Sequence, residues 1–240
     1  ITRFLIFLLL FSCSSVKEDK SKSLKILYKQ KDVSGDFILS REAGASASQK
    51  EFVVKGQLMA DSQVVEQLIS ISDIEKKLLH PNTSQYTVWI NKEKNFSEIS
   101  QDKVLNQLII RLTSPDPTNN GVKFFNLPEN TQNICFFSQV IDCARFEGFI
   151  ARASKENDSL EINLIWDGYP FFHKLLENFP PKLFSPGILV FGGKNKNGDK
   201  RFILKTEGDE ILFELDSKDK LLRRIWVSKG ITIEKINDNL

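Results

Sequence analysis

The chain has 240 residues, 27% of them charged, with a formal net charge of +2 at pH 7. Lysines and arginines are interleaved with acids and form no long basic stripe, which excludes an electrostatically driven nucleic-acid surface. The length suits one generous domain or two small ones, and one is the simpler reading.

The first residues, ITRFLIFLLLFSCSS, place one basic residue, Arg3, before an apolar run from Phe4 to Phe11. The run is far shorter than the roughly 20 residues a membrane-crossing helix needs, and it shows no amphipathic stripe. A positive end, a short apolar stretch and small residues is the layout of a secretory signal peptide. Residues 1–12 are therefore set aside as a signal peptide, and their loss removes Arg3, leaving a net charge of +1 where the whole chain has +2. Residues 13–23 read as a flexible tether, with SSVKEDKSKS too polar to bury anything and spanning about 17 Å as a coil. Residues 24–240 read as one folded domain.

LKILYKQ (24–30), GDFILSR (35–41) and EFVVKGQLMA (51–60) read as strands. Asp61 is placed to cap a helix carrying Val64, Val65 and Leu68, and Ser72-Asp-Ile-Glu75 has the form of a capping box opening a second one, ended by His80-Pro81. His80 is then expected at a helix C-terminus, where a positive charge suits the dipole. YTVWIN (86–91) reads as a strand. Ser100 caps QDKVLNQLIIRL, in which Val104, Leu105, Leu108, Ile109 and Leu112 share a helical face. FEGFIARA and LEINLIW read as paired strands around the turn KENDS. In YPFFHKLLENFPPKLF, Pro170 opens and Pro180-Pro181 stop a helix whose stripe is Phe171, Phe172, Leu175, Leu176 and Phe179. GILVFGG, KRFILKT, EILFELD, KLLRRIWVS and ITIEKI, joined by short turn-forming inserts, make an antiparallel meander. Within it Arg223 and Arg224 read as outward-facing strand residues in preference to an anion site.

Chemistry is sparsely announced. The segment from Gly193 to Lys200 has the glycine spacing of a phosphate loop but lacks the Lys-Ser/Thr pair and joins two strands, so it reads as a hairpin tip. No calcium-loop series is present. The two histidines, His80 and His173, are far apart, and no HExxH, CxxC or Gly-x-Ser-x-Gly spacing occurs, so no metal site, cofactor or catalytic residue is expected. Cys135 and Cys143 read either as one disulfide, worth about 2–3 kcal/mol on the chain-entropy model, or as two buried thiols.

Leu10-Phe11-Ser12-Cys13 resembles the lipobox of bacterial lipoproteins, although Phe11 is bulkier than that family places there. The resemblance implies a lipid on Cys13 and anchoring in the bacterial envelope; Ser14, where an aspartate would retain the protein in the inner membrane, implies the outer membrane. Several acyl chains, at roughly 0.8 kcal/mol per buried CH₂, hold a protein stably. An ordinary signal peptide with an incidental cysteine is the alternative. The short helices and the meander ending FELDSKDKLLRRIWVSKGITIEKI are also similar in architecture to the periplasmic lipoprotein-carrier and receptor family, half-open antiparallel barrels with helices over an apolar cavity.

The expected fold class is thus α+β, a twisted antiparallel sheet in the manner of a half-open barrel with a few covering helices. The resemblance implies a non-enzymatic protein holding an acyl chain or a lipoprotein, with Phe171, Phe172, Leu175, Leu176 and Phe179 on the helical side and Trp166, Phe202, Phe213 and Trp226 on the sheet side. The same residues could instead fill an ordinary core. The other functional reading is a surface-displayed lipoprotein that contacts host or envelope proteins through TSPDPTNNG and KNKNGDK.

Overall fold

The computed structural model describes residues 23–32, 35–129, 131–174 and 182–236. The signal peptide, Cys13 and nearly all of the tether lie outside the described residues, as do Leu175, Leu176 and Phe179.

Fifteen strands form one sheet. In the N-terminal half they are β1 (Leu24–Asp32), β2 (Gly35–Ala45), β3 (Glu51–Ala60), β4 (Gln63–Glu75), β5 (Leu78–Ile90), β6 (Glu93–Asp102), β7 (Gln107–Thr113) and β8 (Gly121–Asn126). After β9 (Ile134–Phe136) come two short helices, α1 (Val140–Phe146) and α2 (Phe149–Arg152), then β10 (Ser159–Ile165) and α3 (Phe171–Lys174). The remainder is β11 (Phe184–Lys194), β12 (Lys200–Thr206), β13 (Asp209–Leu215), β14 (Leu221–Trp226) and β15 (Ile231–Lys235). The two halves are each a meander and join where β1 pairs with β15, so the sheet runs from β8 at one edge to β9 at the other. Every pairing is antiparallel except β9 with β10.

The expected α+β class is corrected: the molecule is predominantly β, and its helices are short. The helices expected from Asp61, from Ser72 and from Ser100 are strands. Asp61 and Ser62 sit at φ of 46° and 65°, Lys76 and Lys77 at 51° and 67°, and Asn91 and Lys92 at 53° and 67°. Paired left-handed residues are the geometry of the tight two-residue hairpin turn, whose twist matches that of its flanking strands. His80 accordingly lies in β5 opposite Asp73 of β4, and not at a helix end. FEGFIARA departs in the other direction: it forms the end of α1 and all of α2, hinged at Gly148 with φ of 73°.

Burial explains both errors. On β4, β5 and β6 the buried positions include Ser70, Ser72, Ser84 and Ser97, while Ile69 is exposed, so the apolar alternation that announces a strand is absent. On β7, Leu108, Ile110 and Leu112 alternate into the core, but Ile109 between them completes a false helical stripe.

A sheet this wide curls, since strand twist accumulates from one neighbour to the next. The curl brings β8 over β11, where the Phe125 and Phe184 rings stand 6.3 Å apart. Val88, Ile99 and Ile110 of the first half pack with Phe136, Ile165 and Leu183 of the second. Inside the curl, α1 and α2 lay Val140, Ile141, Ala144, Phe149 and Ile150 against the inner faces of β10–β15. Cys135 of β9 and Cys143 of α1 form a disulfide, with Cα atoms 6.5 Å apart, which pins the inserted helix to the sheet edge. Converting both cysteines to alanine should lower the unfolding free energy by about 2–3 kcal/mol, measured as an earlier urea midpoint. An unchanged midpoint would show that the link contributes nothing.

Candidate functional site: a cavity inside the curled sheet

The helices fill only the C-terminal half of the interior. Against β1–β5 a cavity of about 860 Å³ remains, between the inner faces of those strands, the turn at Phe137-Ser138, the segment Asp167–Phe172 and the end of β14. Its wall is largely apolar: Leu39 from β2, Val54 and Leu58 from β3, Leu68 from β4, Val88 from β5, with Phe172 and Trp226 opposite. Gly56 stands between Val54 and Leu58 in the same inward row, and a Cβ added there would meet only Leu68 Cβ, at 3.7 Å. The row therefore withholds a side chain where one would project into the space.

Gly168 works the opposite way. A Cβ there would come within 2.5 Å of Phe172 Cβ and 3.4 Å of Tyr86 Cε2, so glycine permits the close approach that brings Phe172 to the wall.

The aromatic residues expected at a cavity divide into three groups. Phe172 and Trp226 line it. Trp166 stands behind them, fully buried, its ring 4.6 Å from Phe137 and 5.6 Å from Trp226, and its Nε1 donates to Ser185 Oγ at 3.0 Å. Phe171 packs instead with Tyr86 and Val88 in the core shared by the two halves, and Phe202 and Phe213 belong to the helix-filled core. Phe202 is held between Phe149 and Phe191, at 5.8 and 5.3 Å. For Phe171 and Phe202 the ordinary-core reading is the correct one; Phe213 touches only a smaller recess near Ile141.

Charged groups share the apolar wall. Glu66 of β4 faces it, and burial pushes its carboxyl from 4.5 up to about 7; the Tyr86 hydroxyl and Arg224 hold it down, while Asp32 adds to the rise. The Tyr86 hydroxyl lies near enough to Glu66 for each to perturb the other, but its placement does not satisfy hydrogen-bond geometry. Asp167 is also raised by burial, against the pull of its donors: Ser70 Oγ at 2.9 Å and the Ser138 N–H at 3.2 Å. Ser84 and Ser138 each share a hydroxyl contact with Ser70, at 3.0 and 3.1 Å. The buried serines of β4 and β5 thus support one carboxyl of the cavity.

Arg224 lies on the same wall, which corrects its expected outward position. In β14 it pairs with Phe213 and Ile233, both buried, and shares the inner row with Trp226. Arg223 is the outward one, paired with Glu214 at 2.7 Å. The signal was available: Arg224 is two residues from Trp226, and strand parity puts both on one face. Glu66 and Asp167 had none, one lying in a strand misread as a helix and the other in an irregular segment.

Among the described residues no group of three or more His, Cys, Asp or Glu is placed to hold a metal ion, and no helix is long and apolar enough to cross a membrane. No family model matches the chain, and no curated protein matches it either. Among solved structures it is similar to a β-barrel-like protein of the domain of unknown function DUF1849 from Brucella abortus. The two share 9% identity over 90% of this chain and 96% of that one, with a TM-score of 0.49.

The Glu66 shift sets a pH dependence. Below 4.5 the carboxyl is protonated in both folded and unfolded chains and costs nothing. As pH rises through 4.5 toward 7 the unfolded chain ionises first, so folding loses stability, by up to about 3 kcal/mol for a shift of this size. Glu66→Gln should therefore match the wild type in chemical denaturation at pH 4 and exceed it by up to that amount at pH 8. Equal stability at both values would show that Glu66 is not perturbed.

Proposed function

We propose that this chain is an exported, lipid-anchored envelope protein that works by binding, and that its ligand is an acyl chain, carried free or on a lipoprotein. The observation that supports this reading is the cavity of about 860 Å³. It lies within the range of about 300–1,000 Å³ typical of small-molecule sites, and its combination of an apolar wall with a few placed polar groups is their usual character. Loose packing of this extent is costly to a protein interior, because each unfilled volume forfeits contacts. An occupant that replaces those contacts accounts for Gly56 and for the helices covering only half of the sheet.

The anchoring part of the proposal rests on the LFSC motif. Lipidation at Cys13 would hold the cavity within a tether's length of a membrane, where acyl chains are the abundant apolar solute.

Gly56→Phe tests the binding reading, since the ring would extend from the β3 row into the cavity. It should weaken binding of a fluorescent 16-carbon fatty acid at least tenfold while circular dichroism stays that of the wild type. Undiminished binding to a folded variant would remove the cavity as the site.

A further inference from the structure

Among the described residues no carboxylate bonds Arg224 directly, although Asp167 and Glu66 attract it from a distance. The Arg224 Nε is sealed from solvent and has no hydrogen-bond partner, and among the described residues the guanidinium makes no hydrogen bond and no ion pair. What it has is the face of Phe137, 5.4 Å from its Cζ. A cation–π contact recovers only part of what a desolvated guanidinium loses.

Two other cations line this wall, Lys229 and Arg41, and Arg41 is engaged. Its guanidinium bonds the Asp142 carboxylate and reaches Ser138 O at 3.4 Å, and Arg145 holds the second oxygen of Asp142 at 2.6 Å. Asp167 is occupied by Ser70 and the Ser138 N–H. A fork of donors beside open volume, with Arg41 and Asp167 already paired and Glu66 not bonded to it, is a site that can take one planar or tetrahedral acid.

We infer that the ligand's head group is acidic: a carboxylate or phosphate ester at the end of an acyl chain, seated on the Arg224 guanidinium, with the chain running along Leu39, Val54 and Leu58. This rests on the reading of the cavity as an acyl site and names the class of acyl compound. Of the carboxyls nearby, Glu66 does not oppose it at full strength, because burial raises it to about 7, while Asp167 is occupied by its own donors and Asp32 stands at the β1 end of the wall. Arg224 also explains what a purely apolar pocket would not, namely why an arginine occupies an inner row otherwise held by Phe213, Trp226 and Ile233.

The test uses the full chain stripped of co-purifying lipid, titrated with palmitate, 16-carbon lysophosphatidate, hexadecanol, acetate and inorganic phosphate, for the wild type, Arg224→Gln and Arg224→Lys. The wild type should take palmitate or lysophosphatidate at least tenfold more tightly than hexadecanol, and the stronger of the two acids identifies the head group. Acetate and phosphate alone should not bind, because the chain supplies the apolar contact. Arg224→Gln should reduce acid binding to the level of hexadecanol, and Arg224→Lys should restore part of it. Equal wild-type binding of acid and alcohol would overturn the inference while leaving the acyl reading intact, and this comparison holds even if a variant fails to fold. Binding of none of the 16-carbon compounds would overturn both.

Discussion

Everything in this molecule follows from the width of one antiparallel sheet. Backbone pairing is continuous from β8 to β9, and the twist carried by every strand obliges so many neighbours to curl. A curled sheet acquires an inside, and the chain furnishes the two halves of that inside differently. The insertion between β9 and β10 folds into α1 and α2, which pack the β10–β15 face closely. Among the described residues no comparable insertion interrupts β2–β7; those strands are joined by short connections and contribute walls but no filling.

The polar groups of the unfilled half make sense as a set. Burying Ser70, Ser72 and Ser84 on inward positions is unfavourable unless their hydroxyls find partners, and these three do, whereas the buried Ser97 Oγ has none among the described residues. Ser70 and Ser84 find each other and Asp167, and Ser72 donates to Gln139, whose amide reaches Ser70 O at 3.0 Å. This network fastens the start of α1 and the Trp166–Gly168 corner to the middle of β4 and β5, and so holds the cavity's far wall in position. The unfilled half is thereby held by this hydrogen-bond network and the helix-filled half by apolar packing.

The C-terminal strands were legible because they obey the simple rule: Phe202 and Leu204, Ile211 and Phe213, and Ile231 and Ile233 are buried on alternate positions, and their turns contain glycine or aspartate. Of the N-terminal strands beyond β3, the second half of β5, YTVWIN, was legible; elsewhere serines hold inward places, the pair Lys76-Lys77 makes a turn normally signalled by Asn-Gly, and outward isoleucines complete helical spacings. The cavity was legible only through Phe172 and Trp226. Its remaining wall comes mostly from β1–β5, whose inward apolar residues look like any strand core, and its emptiness is a property of packing that no local pattern encodes. Arg224 was readable by parity from Trp226, yet the doublet with Arg223 makes it look like a surface charge.

The central claim is that the space beneath β1–β5 belongs to a ligand and not to the protein's own side chains. A crystal structure of the protein isolated from its native source, never exposed to detergent exchange or delipidation, tests it directly. The account predicts elongated density beside Leu58 and Val88 that no residue of the chain explains, with one end at Arg224. A cavity occupied by the chain's own side chains, with Arg224 turned to one of its own carboxylates, would contradict it.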